Sequence, residues 1–328
     1  MTSCGRCSVC GCARGNILHR ASEMMLGRGD TFVYVECGDC GALSLQDRPP
    51  SLSAYYPPDY YSFDRHEQLP PLLPAAARVV AAAVLREGLV GKGFARFGLA
   101  LARAPAVPVW VALLAGQGVT TDAAVLDVGC GSGHRLRALR RFGFRNLTGA
   151  DPYLPAGTQP GEGIAFIARP VEEIPGRYDL VMFHHSLEHV GDAVSALRAA
   201  RDRLSHNGLV VVRVPLADSF AWRRYRVHWV QLDAPRHVVV PTVRAMHALA
   251  ARTGFTVIAR AHDSDAFQFW GSEQYRRGIA LTDPRSHLVD PSRSSFPAAV
   301  LSEYSRRARR LNAIGDGDQA AFLLQPAA

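Results

Sequence analysis

Apolar and polar positions change period several times along the chain, and the changes divide it. From Thr121 onward, short β-rich apolar runs alternate with stretches in which apolar residues recur three and four apart. VLDVG, LTGAD, IAFIA, YDLVMF and LVVVRV are runs of the first kind; Asp192 to Leu204 and Thr242 to Arg252 are stretches of the second. FTVIAR after Gly254 adds a sixth strand, and AAFLLQ near the C-terminus a seventh. Runs that are apolar throughout, rather than at every second position, belong to strands covered on both faces. The pattern predicts an α/β fold built on a doubly wound, seven-stranded sheet.

Between the last two strands, at about 262–318, lies an insertion too long for a hairpin loop. It contains a Pro/Ser-rich stretch around 283–297 and the helix-like SEYSRRARRL, and is either a substrate lid or decoration. Ahead of the sheet, residues 49–120 form a connector, RPPSLSAYYPPDYYSF, followed over 72–115 by two or three alanine- and leucine-rich helices broken by Gly88, Gly91, Gly93 and prolines. Residues 1–48 carry the strand-like TFVYVE and six of the seven cysteines.

Those cysteines change the picture. Cys7-Ser-Val-Cys10-Gly11 and Cys37-Gly-Asp-Cys40-Gly41 are two C-x-x-C-G knuckles. Four thiolates at this spacing close a tetrahedral structural zinc site, and the glycine after each pair lets backbone amides turn toward sulfur. Cys4 offers a rival pairing with Cys7 but lacks the following glycine, and Cys12 is surplus. Residues 1–48 are therefore read as a zinc ribbon, and the remainder, 121–328, as the main domain.

The net charge of +8 invites a nucleic-acid partner. Lys92 is the only lysine, the arginines are scattered, and WRRYR at 222–226 is the nearest thing to a patch, so the balance argues against that function. No apolar signal segment opens the chain, and the longest apolar run, Ala104 to Gly116, is broken by Pro105 and Pro108, well short of the ~20 residues a span needs. The reading is a cytoplasmic protein without a transmembrane segment, its oligomeric state open.

Candidate chemistry begins in VLDVGCGSGHRL. A strand ends at Asp127, Gly129-x-Gly131-x-Gly133 makes a tight turn, and Leu136, Leu139 and Phe142 start a helix face. A nucleotide-like ligand lies against backbone at such a turn. The dinucleotide fingerprint would place its third glycine at 134, which is His134, so a nicotinamide oxidoreductase is disfavoured. The next strand ends in Asp151, 24 positions beyond Asp127, where a carboxylate accepts from ribose hydroxyls. The fourth strand ends in the richest titratable cluster of the chain, His184, His185, Glu188 and His189. Were a helix to begin at 185, residues 185, 188 and 189 would share a face. The later VQLDAPRHVVVPT supplies Arg236 and His237 in a loop that can return over the same cleft.

VLDVGCGSG, the Asp151 strand end, YDLV, HSLEHV and the PRH loop together resemble the class I S-adenosylmethionine (SAM) methyltransferases over Thr121 to about Arg260, in particular the group that includes the 3-demethylubiquinone O-methyltransferases. Their sheet is Rossmann-like. The resemblance implies that Asp127, Gly129, Cys130, Gly131 and Gly133 hold the methionine end of SAM, that Asp151 binds the ribose, and that Pro152 and Tyr153 flank the adenine, with His184 beside the cofactor. Pro170 stands where the family usually has an acid for the adenine amino group, so Val171 backbone or Glu172 serves there. Some relatives bind a divalent cation through E-x-x-E-H; here the run is His185-x-x-Glu188-His189, joined by His237. Three readings stand for this cluster: a second divalent metal, for which two or three imidazoles and one carboxylate suit zinc, iron or manganese better than magnesium; a metal-free base, His189, taking the acceptor proton; or pocket-shaping hydrogen bonds alone. The implied function is methyl transfer from SAM to a small hydroxylated acceptor such as a sugar, glycan or natural-product intermediate, O-methylation being favoured over C-methylation. The contrasting possibility is a non-catalytic SAM-fold module that recruits a protein or nucleic acid.

Overall fold

The computed structural model describes residues 6–57, 109–154 and 163–327. Cys4, the connector beyond Pro57 and nearly all of the helical stretch over 72–115 lie outside the described residues.

Two sheets carry the described residues. The smaller is antiparallel: β1 (Ile17–Ser22), β2 (Thr31–Glu36) and β3 (Leu43–Leu45) form three neighbouring strands, and the fourth is β9 (Val239–Val240), from far along the chain. The larger contains β4 (Ala124–Val128), β5 (Asn146–Ala150), β6 (Ile164–Ile167), β7 (Tyr178–His184), β8 (Leu204–Pro215), β10 (Phe255–His262) and β11 (Gln319–Pro326). Its order is β10-β11-β8-β7-β4-β5-β6. Neighbours from β6 to β8 run parallel, and β11 inserts antiparallel between β8 and β10. This is the seven-stranded, doubly wound sheet that the apolar runs predict.

The period of two in each strand sends alternate side chains to opposite faces, which explains the two main cores. On one face Leu126, Val181, Phe183, Val210 and Val212 pack with α3 (Ala193–Asp202) and α5 (Val243–Arg252). On the other, Val125, Leu180, Met182 and Val211 pack with Leu136 and Leu139 of α2 (His134–Arg141) and with Trp110 of the short α1 (Val109–Ala112). Helix starts are fixed by side-chain caps: Asp192 accepts from the amides of Val194 and Ser195, and Thr242 from that of Ala245. Strand order reverses between β4 and β7, so the crevice between their carboxyl ends is where a ligand fits.

The cysteine ribbon is built into the main domain. The knuckles close as expected, with the amides of Gly11 and Gly41 donating to the carbonyls of Cys7 and Cys37. Cys7, Val9, Cys37 and Cys40 are buried against Met246 and Leu249 of α5, and the Thr242 hydroxyl donates to the Cys40 carbonyl. Strand pairing of β3 with β9 continues the attachment. The insertion contributes α6 (Phe267–Arg276) and α7 (Ala298–Ala313), which pack with α4 (Phe220–Tyr225) and the ribbon strands in a third core of Tyr34, Leu43, Trp222, Trp229, Phe269 and Leu311. The insertion thus buttresses the ribbon. Among the described residues no helix is long and apolar enough to cross a membrane.

Candidate active site

The glycine turn sits at the carboxyl end of β4. Gly129 has φ of +74°, and a Cβ there would come within 2.5 Å of the Ser186 Cβ, so both the backbone conformation and the neighbouring Ser186 side chain require glycine. Ser186 donates to the Val128 carbonyl at 2.6 Å and ties the end of β7 to this turn. Gly133, at φ +79°, precedes α2, and its missing Cβ makes room for the Phe166 ring. The Gly131 amide donates to Asp151 Oδ2 at 3.1 Å and the Tyr153 amide to Oδ1 at 2.8 Å. The carboxylate therefore braces the turn itself, with lone pairs remaining for a ligand.

The other residues expected at the cofactor are placed as follows. Asp127 is buried in β4, and burial pushes its carboxyl up to about 7 against the opposing pull of Arg135. Cys130 is buried and packs beside Gly149. Pro152 and Tyr153 follow β5, with the Tyr153 ring open to solvent at 75% exposure. Val171 is buried and opens a 3-10 turn, Val171–Glu173, beyond β6. His184 ends β7 with its ring edge-on to Trp110. Gly129, Pro152, Tyr153 and Glu172 are exposed, and the others are at least partly covered.

The titratable cluster forms, in a tighter conformation than a helix starting at 185. His185 takes a left-handed backbone, φ +53°, and only Leu187–His189 coil, as a single 3-10 turn. His185 Nδ1 lies 3.1 Å from Glu188 Oε1, so this ring partners the carboxyl from outside the helix. The set with one ligand atom each within 4.8 Å of the others is Glu188, His189 and His237. The rings of His189 and His237 meet edge to face with centroids 4.7 Å apart.

Hydrogen bonds fix how these rings face. His189 Nδ1 lies 3.0 Å from the Arg236 carbonyl, and His237 Nδ1 lies 2.8 Å from the Gln231 carbonyl. A carbonyl only accepts, so each Nδ1 carries the proton and each Nε2 presents a lone pair. His237 Nε2 points at Glu188 Oε1, 4.0 Å away. Glu188 is fully buried, and its Oε2 has no hydrogen-bond partner. Two imidazoles locked through carbonyls at Nδ1, together with a nearby carboxyl group that has one orphaned oxygen, fit a divalent ion of the zinc, iron or manganese kind.

Burial governs the protonation of the cluster. It holds His189 down at about 3, with His237 adding to the shift, and lowers His184, His185 and His237 as well. The same desolvation pushes the Glu188 carboxyl up to about 8. At neutral pH the imidazoles are uncharged and available as lone-pair donors. Asp233 is the exception: it is held ionised by Arg236, whose Nε and Nη2 contact its carboxylate at 2.6 to 3.1 Å.

Several groups at the site carried little sequence signal. Tyr56, in the aromatic connector, places its hydroxyl 3.0 Å from His189 Nδ1. Gln231 and Asp233 lie within the VQLDAPRH stretch that drew attention for its Arg and His. Ser186 sits inside HSLEHV, and its small side chain at the point of contact with Gly129 was the available clue.

Residues 98–260 match the family model described as Methyltransferase domain. Among curated proteins, a ubiquinone biosynthesis O-methyltransferase from Serratia proteamaculans is 33% identical over 31% of this chain and 46% of its own length. Its counterpart from Pseudomonas aeruginosa is 36% identical over 30% of this chain and 48% of its own length. The chain thus spans about half the length of the curated relatives it matches. Among solved structures, a 1,6-didemethyltoxoflavin-N1-methyltransferase from Burkholderia thailandensis is 18% identical, with a TM-score of 0.38 over 63% of this chain and 72% of that one.

Two outcomes are expected from this geometry. Asp151→Ala, which removes the brace of the glycine turn and a charged acceptor, weakens S-adenosylhomocysteine binding by about 2–3 kcal/mol in a calorimetric titration; unchanged affinity would place the ribose elsewhere. Glu188 titrates at 4.5 in an ordinary setting and about 8 here, so its uncharged form stabilises the fold below about 4.5 and that contribution is lost as pH rises toward 8. Denaturant unfolding of the wild type relative to Glu188→Gln should show stability falling across that window, by at most about 1.4 kcal/mol per pH unit. A flat difference would mean that Glu188 is ionised throughout, as it would be with a cation bound.

Proposed function

Through residues 98–260 the chain belongs to the methyltransferase domain family, and from that premise we propose that it transfers a methyl group from SAM to a hydroxyl of a small acceptor. The observation that carries the oxygen-directed reading is the pair of neutral imidazoles, His189 and His237, presenting Nε2 lone pairs at the carboxyl edge of the sheet, next to Ser186 and the glycine turn. SAM lies along that turn, with Asp127, the backbone of Gly129 to Gly133, and Asp151 on its methionine and ribose portions, and with Pro152, Tyr153 and Val171 toward the adenine.

The sulfonium methyl is already activated, so transfer is an in-line displacement: the acceptor oxygen forms the new bond to carbon as the carbon–sulfur bond breaks, leaving S-adenosylhomocysteine. Most of the acceleration comes from alignment. The hydroxyl proton passes to His189 Nε2. A buried imidazolium is disfavoured, and the Asp233 carboxylate is the charge that supports it. The catalytic set in this reading is His189 with Glu188, His185 and His237 around it.

A second reading keeps the same residues and adds a divalent ion, favoured by the orphaned Glu188 Oε2. Glu188, His189 and His237 would hold it, and when bound it would supply a Lewis acid that lowers the pKa of an acceptor hydroxyl. The ribbon takes a separate, structural zinc. Tetrahedral Zn–S bonds of about 2.3 Å separate sulfurs by about 3.8 Å, and the thiols of Cys7 and Cys40 lie 3.7 Å apart and those of Cys10 and Cys37 3.5 Å apart. Four unoxidised thiols of this kind suit the reducing cytoplasm.

Elemental analysis should find about one tightly held zinc per chain, lost in Cys37→Ser; zinc retained in that variant would remove the ribbon assignment. Methyl-label transfer from SAM to a panel of hydroxylated acceptors tests the reaction. His189→Ala should abolish turnover while S-adenosylhomocysteine affinity stays nearly intact, whereas loss of both together would assign His189 to the fold. Label recovered on carbon would establish C-methylation instead.

A further inference from the structure

Glu23 is the residue least expected near a reaction. It belongs to the ribbon, just after β1, and sits 213 positions before its partner. Its side chain is fully buried, as is that of Arg236, and Arg236 Nη2 donates to Glu23 Oε1 at 2.9 Å. The same guanidinium binds Asp233 through Nε and Nη2, and its Nη1 donates to the Tyr55 carbonyl. The Glu23 oxygens also accept from the amides of Leu26 and Arg28, which fixes the carboxylate within its own loop. A buried guanidinium held by two carboxylates in this way has one orientation available.

That orientation bears directly on the site. The Arg236 carbonyl is the acceptor that sets the His189 tautomer, Asp233 Oδ2 lies 3.9 Å from His237 Nε2, and His237 is the next residue in the chain. Two more ribbon contacts hold the same segment: the Tyr34 hydroxyl donates to the His237 carbonyl at 2.7 Å, and the Leu45 amide to the Val238 carbonyl. The Val238 amide in turn donates to the Glu188 carbonyl. We propose that Glu23 is a positioning residue for methyl transfer: acting through Arg236, it holds the Asp233–Val238 loop so that His237 keeps its Nε2 lone pair toward Glu188 and His189 keeps its Nδ1 on the Arg236 carbonyl. The ribbon is then part of the active-site architecture, beyond any role in stability. The proposal rests on the reading that these histidines serve the acceptor side, and its test uses no acceptor.

Long-range proton–nitrogen spectra of the histidine rings read the tautomers in uniformly nitrogen-15-labelled, zinc-loaded full-length protein bound to S-adenosylhomocysteine, with His237 assigned by its loss in His237→Gln. In the wild type His237 should show one protonated and one bare nitrogen, widely separated in shift. In Glu23→Gln that separation collapses toward the exchange average, while His262, whose Nδ1 lies against the Gly317 carbonyl, keeps its own pattern and zinc content and S-adenosylhomocysteine affinity hold. An unchanged His237 pattern in Glu23→Gln overturns the proposal and leaves Glu23 as a docking contact. Should Glu23→Gln fail to fold, Arg236→Lys, which keeps the charge and removes the fork, is read in the same way: a collapsed separation supports the proposal and an unchanged one overturns it. Absence of S-adenosylhomocysteine binding to the wild type would instead count against the proposed function, and the same tautomer comparison, made on the zinc-loaded protein alone, then decides the positioning role with the same two outcomes.

Discussion

Arg236 has no exposure to water, and much of the molecule is arranged around that fact. A guanidinium withdrawn from solvent persists only where carboxylates and carbonyls replace its hydration, and among the described residues these include Asp233 in its own loop, Glu23 in the ribbon and the Tyr55 carbonyl in the connector. Breaking one arm of such a network strands charge in the interior, at a cost of about 3–5 kcal/mol. Loop, ribbon and connector are therefore fixed relative to one another by an interaction whose centre lies immediately before His237.

The same scarcity of water sets the chemistry of the cleft. Desolvation drives histidines and carboxyls in opposite directions, so His189 is held low while Glu188 is held high, and both are uncharged near neutrality. Uncharged imidazoles keep their lone pairs available. The one group ionised by its surroundings, Asp233, owes its charge to Arg236. The electrostatics of the histidine cluster are in this sense inherited from the ion network.

Much of the fold was legible in the chain. Continuous apolar runs marked the strands of the large sheet because strands covered on both faces have no polar side to show. The C-x-x-C-G knuckles, the G-x-G-x-G turn and the helical stretches opening at Asp192 and Thr242 were visible because each is a local pattern, complete within a few residues. Helix α6 left a weaker trace: FQFWGSEQYR buries Gln268, Ser272 and Gln274 along with its aromatics, so its apolar period is blurred. The shared helix face that a helix from His185 would have given is replaced by a 3-10 turn, with Ser186 reaching back to Val128, a demand that comes from β4 and leaves no mark on HHSLEH itself.

Residue types and short spacings already specify the groups the chain carries: a glycine turn with Asp127 and Asp151, a cluster of imidazoles with one carboxyl, and four thiols at metal-binding spacing. These are properties of residue type and short separation, and short separations survive without a fold. Tertiary structure alone decided how the groups are combined. It placed His237 with Glu188 and His189 ahead of His185, drew β9 into the ribbon sheet, and set Glu23 on Arg236. Those pairings span tens to hundreds of residues, and a buried charge selects its partner by what the packed interior brings within hydrogen-bonding reach, a condition that exists only once the sheets have closed around it.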